Sequence, residues 1–420
     1  MEKALTNDSR MERAAEIAAK GRNLEGLLRR NLIDKEHEAK LLTLSLMLGK
    51  NAVLIGEPGT AKTEMTTRVG KLVNGNVFSI QLTRDTDTSE IIGYFDPKLF
   101  RDEGNLVRNT KGTLLVADVA VLDEVFEANS IVLNAIRSAT NEGVFYDHGI
   151  PYKLPLWSTI GSSNIIPEDP RLAGLYDRFL FRGFVQRVGA TGKTIELLKA
   201  GGELDLEKLA SDRTPHAITI EELKEFRNLV DKLADAVFPL PSQNGETSPA
   251  LINLIQAFTD LETVGVVVSD RRRVQIRKAI VANALLEGRT SANVSDIDII
   301  RYIVPSNDDE VGKTNEVLRT IVPTSRMSLQ DLQSAADSIL KVIEVGIVNA
   351  EMADYLKEGI SIFREHANPS NLEMDPRVRE FAKSKLNDIT SALSRSQGPE
   401  FERLKLELGM AVLLRDMPPC

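Results

Sequence analysis

The sequence contains very little cysteine and histidine, and each shortage excludes a class of site. Its single cysteine, Cys420, allows no internal disulfide and no cysteine-based zinc site. Its four histidines, His37, His148, His216 and His366, lack the short spacings that metal ligands show. A reducing, cytoplasmic setting therefore fits this composition best.

The chain also lacks long apolar runs and a net positive charge. No run approaches the length needed to cross a membrane, and the polar start MEKALTNDSRMER shows no secretory signal. The net charge of -9 and the pI near 5.3 argue against a general nucleic-acid or membrane-surface binder, although a local basic patch fits within that total. What is present, 420 residues that are 42% hydrophobic, is enough for two or three domains.

Apolar runs rich in β-formers alternate with helical patterns before about residue 190. The predicted strands are residues 51–55, 77–82, 119–122, 157–161 and 179–185. This alternation favours a parallel sheet between helices. Residues 24–48 predict one helix that ends at Gly49 and leads into the first strand. Two short runs within residues 144–154 predict a hairpin.

Helix start signals replace the strand patterns in the second half of the chain. Capping side chains occur four times, at Thr219, Ser248, Ser269 and Ser295. Glu222 completes a capping box with the first of them. These signals predict a helical domain of about residues 214–303 that ends near Pro305. Four further helices are predicted beyond it, near residues 328–348, 350–366, 376–397 and 399–415.

A phosphate-binding loop is indicated by GEPGTAKT, residues 56–63. It meets the pattern G-x-x-x-x-G-K-[ST] at Gly56, Lys62 and Thr63, with Ala61 in the second glycine slot. A strand precedes the loop and a helix follows it, so successive amides can point at an anion. Lys62 would reach the outer phosphates, and Thr63 would offer its hydroxyl to Mg2+. The residues predicted to contact ATP are Gly56, Glu57, Pro58, Gly59, Thr60, Ala61, Lys62 and Thr63.

Alanine at position 61 would harm this loop only if its slot required a positive φ. Because the slot lies where the chain enters a helix, we expect right-handed backbone angles there, which alanine favours. Ala61 is therefore expected to be tolerated. The alternative, a glycine turn that merely joins strand to helix, explains neither Lys62 nor Thr63.

Two adjacent carboxylates end the apolar run at residues 119–124, VAVLDE. Asp123 would hold Mg2+, and Glu124 would polarise the water that attacks the γ-phosphate, at the edge where parallel sheets bind ligands. Asn164, after the strand in STIGSSN, would help to position that water. The alternatives are a solvated strand end and an ordinary turn asparagine.

Two arginine-containing segments follow. Arg178, just before the last predicted strand, is either catalytic or a helix-end arginine that caps carbonyls or pairs with Asp177. Residues 269–273, SDRRR, open a helix on which successive side chains point about 100° apart, so the three arginines cannot all face one ligand. With no aromatic residues interleaved, base stacking has no support. We expect one of the three arginines to sense the nucleotide.

These segments, in this order, resemble the motifs of an AAA+ ATPase. GEPGTAKT resembles Walker A, VAVLDE Walker B, GSSN sensor 1, YDRF the arginine-finger region and SDRR sensor 2. Residues 89–112 resemble the insert of the helix-2-insert clade, and residues 144–154 resemble its pre-sensor-1 hairpin. Within that clade the chain is similar to the MoxR family, particularly its RavA-like branch, which shares the alanine before the Walker A lysine.

The resemblance covers about residues 23–303 and implies an α/β fold. The implied parts are a parallel-sheet αβα nucleotide-binding core, an all-helical lid and a helical C-terminal extension. The domain prediction is a polar N-terminal segment at 1–22, the ATPase core at 23–200, the lid at 201–304 and the C-terminal region at 305–420.

The resemblance also implies ATP and Mg2+ as cofactors and a role for each site residue. Phosphate and metal would be bound by Lys62, Thr63 and Asp123. Catalysis would use Glu124, Asn164 and, from a neighbouring subunit, Arg178. Arg271 would contact the nucleotide in cis from the lid. Such proteins form rings, usually hexamers, that remodel or mature protein clients, often with a von Willebrand A (vWA) domain partner.

Two other functions remain compatible with the sequence. One is a nucleic-acid-associated motor, although the predicted hairpin carries Lys153 as its base together with Asp147, so nucleic acid is the less favoured partner. The other is a nucleotide-gated binding scaffold with little turnover, which a complete set of Glu124, Asn164 and Arg178 disfavours.

Overall fold

The computed structural model describes most of the chain in two units. The described residues are 6–104, 106–147, 150–167, 169–188, 218–240, 248–322, 329–345, 376–396, scattered positions from 356 to 367, and 404. The first unit contains residues 1–187 and 203–322, and the second contains 188–202 and 323–420. None of the described helices combines the length and apolarity needed to span a membrane.

A five-stranded parallel sheet forms the centre of the first unit. Its strands and those of a separate hairpin are β1 Asn51–Ile55, β2 Val77–Gln81, β3 Val119–Asp123, β4 Val144–Asp147, β5 Ile150–Lys153, β6 Ser158–Ser163 and β7 Phe179–Phe184. The sheet order is β2-β3-β6-β1-β7, and β4 and β5 form the predicted antiparallel hairpin. We call the edge where the sheet strands end the carboxyl edge, and the edge where they begin the amino edge.

Helices flank this sheet as the strand and helix alternation predicts. They are α1 Asn7–Arg29, α2 Glu36–Leu48, α3 Lys62–Leu72, α4 Thr88–Ile92, α5 Pro97–Glu103, α6 Ser130–Glu142 and α7 Pro170–Tyr176, with a 3-10 turn at Leu114–Val116. The segment that resembles the helix-2 insert contains α4 and α5 and is closed by a bridge between Phe95 and Arg108.

The single helix predicted for residues 24–48 is wrong, because the chain breaks between α1 and α2. Asn31 and Asp34 lie in this break with φ values of 59° and 60°. Asn and Asp adopt the left-handed region more readily than other L-residues, so they can end a helix without a glycine. The apolar period continues across the break, which is why the pattern did not reveal it.

The N-terminal segment differs from the polar stretch predicted for residues 1–22. Helix α1 begins at Asn7 with Thr6 as its N-cap. Small and apolar residues at helical spacing are buried along it, namely Ala14, Ile17, Ala18, Gly21, Leu24 and Leu28. Most of this segment therefore belongs to the first unit.

The helices between residues 218 and 322 pack in the same unit as the sheet. They are α8 Ile220–Val237, α9 Pro249–Thr263, α10 Asp270–Leu286, a 3-10 helix Val294–Tyr302, and α11 Asp308–Ile321. Thr219, Ser248 and Ser269 cap them as predicted. The start predicted at Ser295 is wrong, because Asn293 caps the 3-10 helix and pairs with Asp296 in a capping box.

The end of this helical region lies later than the predicted boundary at Pro305. Helix α11 buries Val317 and Leu318 in the hydrophobic cluster that also contains Leu54 of β1 and Phe226 of α8. Because apolar side chains stabilise whichever core they join, α11 belongs with the first unit. The polar, proline-containing cluster at residues 305–307 is a turn inside this unit.

Helix α1 contacts α2 and α3, which flank the sheet, and also α8 and α10 of the helical region. Arg13 pairs with Glu225 at 2.8 Å, and Lys20 pairs with Glu222 at 2.5 Å, so two ion pairs join α1 to α8. The apolar face of α1 lies in the hydrophobic cluster shared by both regions.

The second unit has its own apolar core. Its longer described helices are α12 Leu329–Val345 and α13 Pro376–Arg395. Leu332, Ile339, Phe363 and Ile389 are fully or almost fully buried in it. The helix predicted for residues 350–366 is described at scattered helical positions alone, and the one predicted for 399–415 lies outside the described residues except at position 404.

Candidate functional site

The loop at residues 56–63 joins β1 to α3 at the carboxyl edge of the sheet. A Cβ atom at Gly56 would lie 2.3 Å from the Val185 carbonyl oxygen, so no side chain fits there. Gly59 has a φ of 80°, in the region that glycine alone enters readily. Both glycines are therefore required by the shape of the loop, which keeps the backbone exposed to a ligand.

Ala61 has left-handed backbone angles, with a φ of 68° and a ψ of 18°. The expectation of right-handed angles at this slot is therefore wrong. The reason is a shift of one residue: α3 begins at Lys62, and Ala61 is the N-cap residue outside it. An L-residue in this region costs about 1–2 kcal/mol, which explains why the usual pattern has glycine here.

Lys62 is held among backbone carbonyls and one asparagine. Its side chain is almost fully buried, with 5% of the residue exposed. The Nζ atom donates to the Gly56 oxygen at 2.7 Å, the Glu57 oxygen at 2.8 Å and Asn164 Oδ1 at 3.0 Å. Burial lowers the pKa of Lys62, and the carboxylate of Glu124 opposes that shift. The ammonium group is thus fixed at the centre of the loop.

Asp123 ends β3 beside Thr63, the first-turn threonine of α3. Thr63 Oγ1 donates to the two carboxylate oxygens of Asp123 at 3.2 and 3.3 Å, and Ser162 Oγ also donates to Oδ1. One hydroxyl and one carboxylate suit Mg2+, which takes oxygen ligands, keeps several waters and is completed by phosphate oxygens. The residues present therefore fit a magnesium nucleotide.

Glu124 follows β3 with a φ of 52° and contacts Asn164. Asn164 Nδ2 donates to Oε1 of Glu124, and the Asn164 backbone N–H donates to Oε2 at 3.2 Å. Burial raises the pKa of Glu124, while the backbone hydrogen bond from Asn164 acts in the opposite direction. Asn164 therefore bridges Lys62 and Glu124 through its two amide atoms.

Arg178 lies at the amino edge, immediately before β7. Its carbonyl oxygen accepts a hydrogen bond from Asn51 Nδ2 at 3.2 Å, which fixes it beside the first residue of β1. The phosphate loop follows the last residue of β1, roughly 15 Å away at about 3.3 Å per residue. Within the described part of the chain, Arg178 makes no ion pair, and its buried Nε atom has no hydrogen-bond partner. Pairing with Asp177, the alternative weighed above, is not found.

Arg271 also lies at the amino edge, so its predicted contact with the nucleotide in cis is wrong. Its guanidinium is 3.7 Å from the carboxylate of Asp177, and it lines the same cavity as Arg178. Arg273 instead bonds to Val268 O at 3.0 Å and to the side chain of Glu262. The position of α10 relative to the sheet is a tertiary feature that the motif spacing does not contain.

Ser162 is a site residue that the sequence reading missed. It is fully buried in β6 and donates to Asp123 on the neighbouring strand. The available signal was the pair of serines directly before Asn164 in a strand that is buried along its whole length, because a buried hydroxyl requires a partner.

Comparisons with known proteins identify the fold and the helical region. Residues 249–318 match the AAA lid domain. A crystal structure of a candidate ATPase from Cytophaga hutchinsonii aligns with a TM-score of 0.54 at 16% identity and covers 76% of this chain and 98% of that one. The fold is that of an AAA+ protein with a helical lid, as predicted.

Sequence relatives define the family more narrowly. Residues 21–228 match the MoxR domain of the MoxR-vWA-beta-propeller ternary systems. An uncharacterized protein of Methanocaldococcus jannaschii is 32% identical over 283 residues, which is 67% of this chain and 70% of that protein. The chaperone MoxR1 of Mycobacterium tuberculosis is 24% identical over 339 residues, 73% of this chain and 83% of MoxR1. The chain belongs to the MoxR-type AAA+ ATPases.

Proposed function

We propose that the protein hydrolyses ATP in a ring, usually a hexamer in such proteins, and uses that reaction to remodel or mature partner proteins. The observation that carries this proposal is the division of the site. Lys62, Asp123 and Glu124 lie at the carboxyl edge, whereas Arg178 and Arg271 lie at the amino edge. A second copy of the chain would bring the two halves together.

The carboxyl edge would bind and activate the nucleotide. ATP and Mg2+ would supply the phosphoryl group and the charge neutralisation that such transfers need. Lys62 would hold the outer phosphate oxygens, and Thr63 with Asp123 would hold the metal. Glu124 would orient and polarise the attacking water.

Asn164 would hold the phosphate-binding lysine and the water-activating glutamate in a fixed relative position. Its Oδ1 accepts from Lys62, and its Nδ2 donates to Glu124, so one planar amide fixes the ammonium and the carboxylate relative to each other. A misplaced carboxylate would slow hydrolysis more than binding, because water is positioned in the transition state.

The amino edge would complete the site of a neighbouring subunit. The phosphoryl-transfer transition state spreads charge over oxygens that one lysine and one magnesium cover incompletely, and an added guanidinium is typically worth on the order of 10³–10⁵ in rate. Arg178 would supply it in trans, and Arg271 would contact the same nucleotide from the neighbour's lid.

The partner proposal rests on the relatives. The matching family occurs in systems that contain a vWA protein and a beta-propeller protein, and one relative is named a chaperone. We infer a vWA-domain partner, protein clients and a cytoplasmic location. The more specific resemblance to the RavA-like branch remains a hypothesis that the alanine at position 61 motivates.

A mixing experiment tests the division of the site. Arg178→Ala should bind ATP with little turnover, and Lys62→Ala should not bind ATP. Mixing the two inactive variants should restore part of the activity, because some interfaces then pair an intact loop with an intact arginine. Activity should rise with protein concentration. If mixed rings form but remain inactive, or Arg178→Ala alone hydrolyses ATP normally, the proposal fails.

A further inference from the structure

A cavity of about 320 Å³ lies at the amino edge, between the start of the sheet and the lid helices α8 and α10. Its ionisable lining consists of five cationic side chains and one carboxylate, namely Lys50, Arg178, Arg227, Arg271, Arg272 and Asp177. The whole chain has a net charge of -9. Such a local excess of positive charge on an acidic protein indicates a binding site for an anion.

The single carboxylate does not neutralise this cavity. Asp177 is shared among Arg272, at 3.2 Å, Arg271, at 3.7 Å, and Arg182, at 3.8 Å. Arg272 is further held by the Val304 carbonyl oxygen at 3.2 Å, so its position is fixed by the protein itself. Arg271 keeps a side chain that is 60% exposed.

Three of the cations lack a counter-ion. Within the described residues, Lys50, Arg178 and Arg227 form no ion pair with any carboxylate. Burial, together with the charges of Arg227, Lys278 and Arg271, lowers the pKa of Lys50 to about 8. Cations crowded against each other in a half-buried site cost stability unless a ligand offsets the repulsion.

We propose that Lys50 and Arg227 join Arg178 and Arg271 in a pocket that receives the phosphate groups of a nucleotide bound to a second copy of the chain. This inference rests on the proposed ring and adds to it two residues that lie outside every motif. The chain's own nucleotide cannot be the occupant, because its loop is at the opposite edge of the sheet.

The four cations of the pocket come from two regions of the protein, so a bound phosphate would also affect how these regions are held together. Lys50 and Arg178 belong to the sheet region, whereas Arg227 and Arg271 lie on α8 and α10. A phosphate group that binds all four cations therefore holds the lid against the core. The nucleotide of one subunit would set the lid position of the next.

Trp157 is a built-in reporter for this pocket. It is the only tryptophan of the chain, and it lines the cavity. Its Nε1 donates to the Leu46 carbonyl oxygen at 2.7 Å, and the Arg227 guanidinium lies 5.5 Å from its ring centre. An anion that draws Arg227 toward itself would change the surroundings of the indole ring and hence its fluorescence.

The first test is hydrolysis by charge-removing variants. Lys50→Met and Arg227→Gln should bind ATP like the wild type but turn it over about 10- to 100-fold more slowly, as expected for the loss of one hydrogen bond to a charged group. Lys50→Arg should recover activity. Lys232→Met removes a charge from an exposed position of α8 outside the cavity and should hydrolyse ATP normally. Mixing Lys50→Met with Lys62→Ala should restore part of the rate.

The second test follows Trp157 fluorescence in Glu124→Gln, which should bind ATP and hydrolyse it slowly. ATP should change the fluorescence at protein concentrations where rings form, and Lys50→Met should weaken that change. Lys62→Ala, which should not bind ATP, should show none. If tripolyphosphate gives a saturable change in Lys62→Ala at concentrations where it is monomeric, the pocket binds a free anion and the proposed occupant is wrong.

The outcomes separate this inference from the proposed function. If the wild type does not hydrolyse ATP, or Arg178→Ala is fully active, the ring model itself fails. If Arg178→Ala is inactive while Lys50→Met and Arg227→Gln hydrolyse ATP at the wild-type rate, the ring model stands and the role of the two added cations is refuted. Circular dichroism and urea titration of Lys50→Met establish that any loss of rate occurs in a folded protein.

Discussion

Replacing Ala61 with glycine should stabilise the first unit or leave its stability unchanged, which is opposite to the usual effect of this substitution. The left-handed angles of Ala61 cost about 1–2 kcal/mol. Glycine removes that strain, but it gives the unfolded chain more backbone entropy than alanine does, which lowers the free energy of unfolding by about 0.5–1 kcal/mol. The expected net change in the free energy of unfolding is therefore about 0 to +1.5 kcal/mol.

Ala15 provides the matched control, because it is an exposed residue inside helix α1. Ala15→Gly should destabilise the protein by about 1 kcal/mol, the ordinary cost of glycine in a helix interior. The two variants change the same atoms, so their difference reports the backbone angle alone. Urea titration followed by Trp157 fluorescence measures the free energy of unfolding of the unit that contains both positions.

An equal loss of stability in Ala61→Gly and Ala15→Gly would refute this reasoning, because it would mean that position 61 has right-handed angles. ATP hydrolysis provides a second measurement. Alanine contributes no polar side-chain group to the loop, so Ala61→Gly should retain turnover. A stabilised variant without turnover would show that the strained angle itself is needed for phosphate binding.

Three further predictions follow from the side-chain contacts. Lys62→Ala should abolish productive ATP binding, with an affinity at least about 100-fold lower in a direct binding titration, because charged hydrogen bonds are worth about 1.5–3 kcal/mol each and Lys62 is the cation held at the centre of the loop; unchanged affinity would refute the loop assignment. Glu124→Gln should keep ATP affinity and lower kcat about 100-fold or more, since the water loses its carboxylate; surviving turnover would assign that role to another group. Arg289→Met should lower the free energy of unfolding of the lid by about 3 kcal/mol in urea titration, because the fully buried Asp296 loses the guanidinium that contacts it at 2.5 and 2.6 Å. The control is Arg319→Met, on the exposed face of α11, which should change the free energy of unfolding by less than about 0.5 kcal/mol.

The sequence predicted which residues lie together at the carboxyl edge of the sheet, because all strands of a parallel sheet end at the same edge and this does not depend on how the other helices pack. Lys62, Asp123 and Asn164 each follow or end a recognisable apolar run. In the structure Lys62 donates to Asn164 at 3.0 Å, and Thr63, the residue after Lys62, donates to Asp123 at 3.2 Å. Their roles in hydrolysis remain predictions until the variants are measured.

The predictions that were wrong have physical causes that the local sequence pattern does not contain. The angle at Ala61 depends on whether the helix begins one residue earlier or later, and propensity does not resolve a single residue at a helix boundary. The place of Arg271 depends on how the lid packs on the sheet. The end of the lid depends on which core the apolar face of α11 joins, and the helical spacing of that face is the same in either case.

Helix α1 gives the lid a mechanical link to the N-terminus. Its ion pairs with α8 involve partly exposed side chains, so they are worth at most about 1 kcal/mol each and can break and re-form. The apolar face beneath them, with Ile17 fully buried, costs far more to separate. A rotation of the lid must therefore either carry this helix along or slide over it. A spectroscopic label placed at the first turn of α1 would then report the orientation of the lid from a position remote from both nucleotide and clients. A protein shortened to begin at residue 23 would lack most of the helix that limits this rotation.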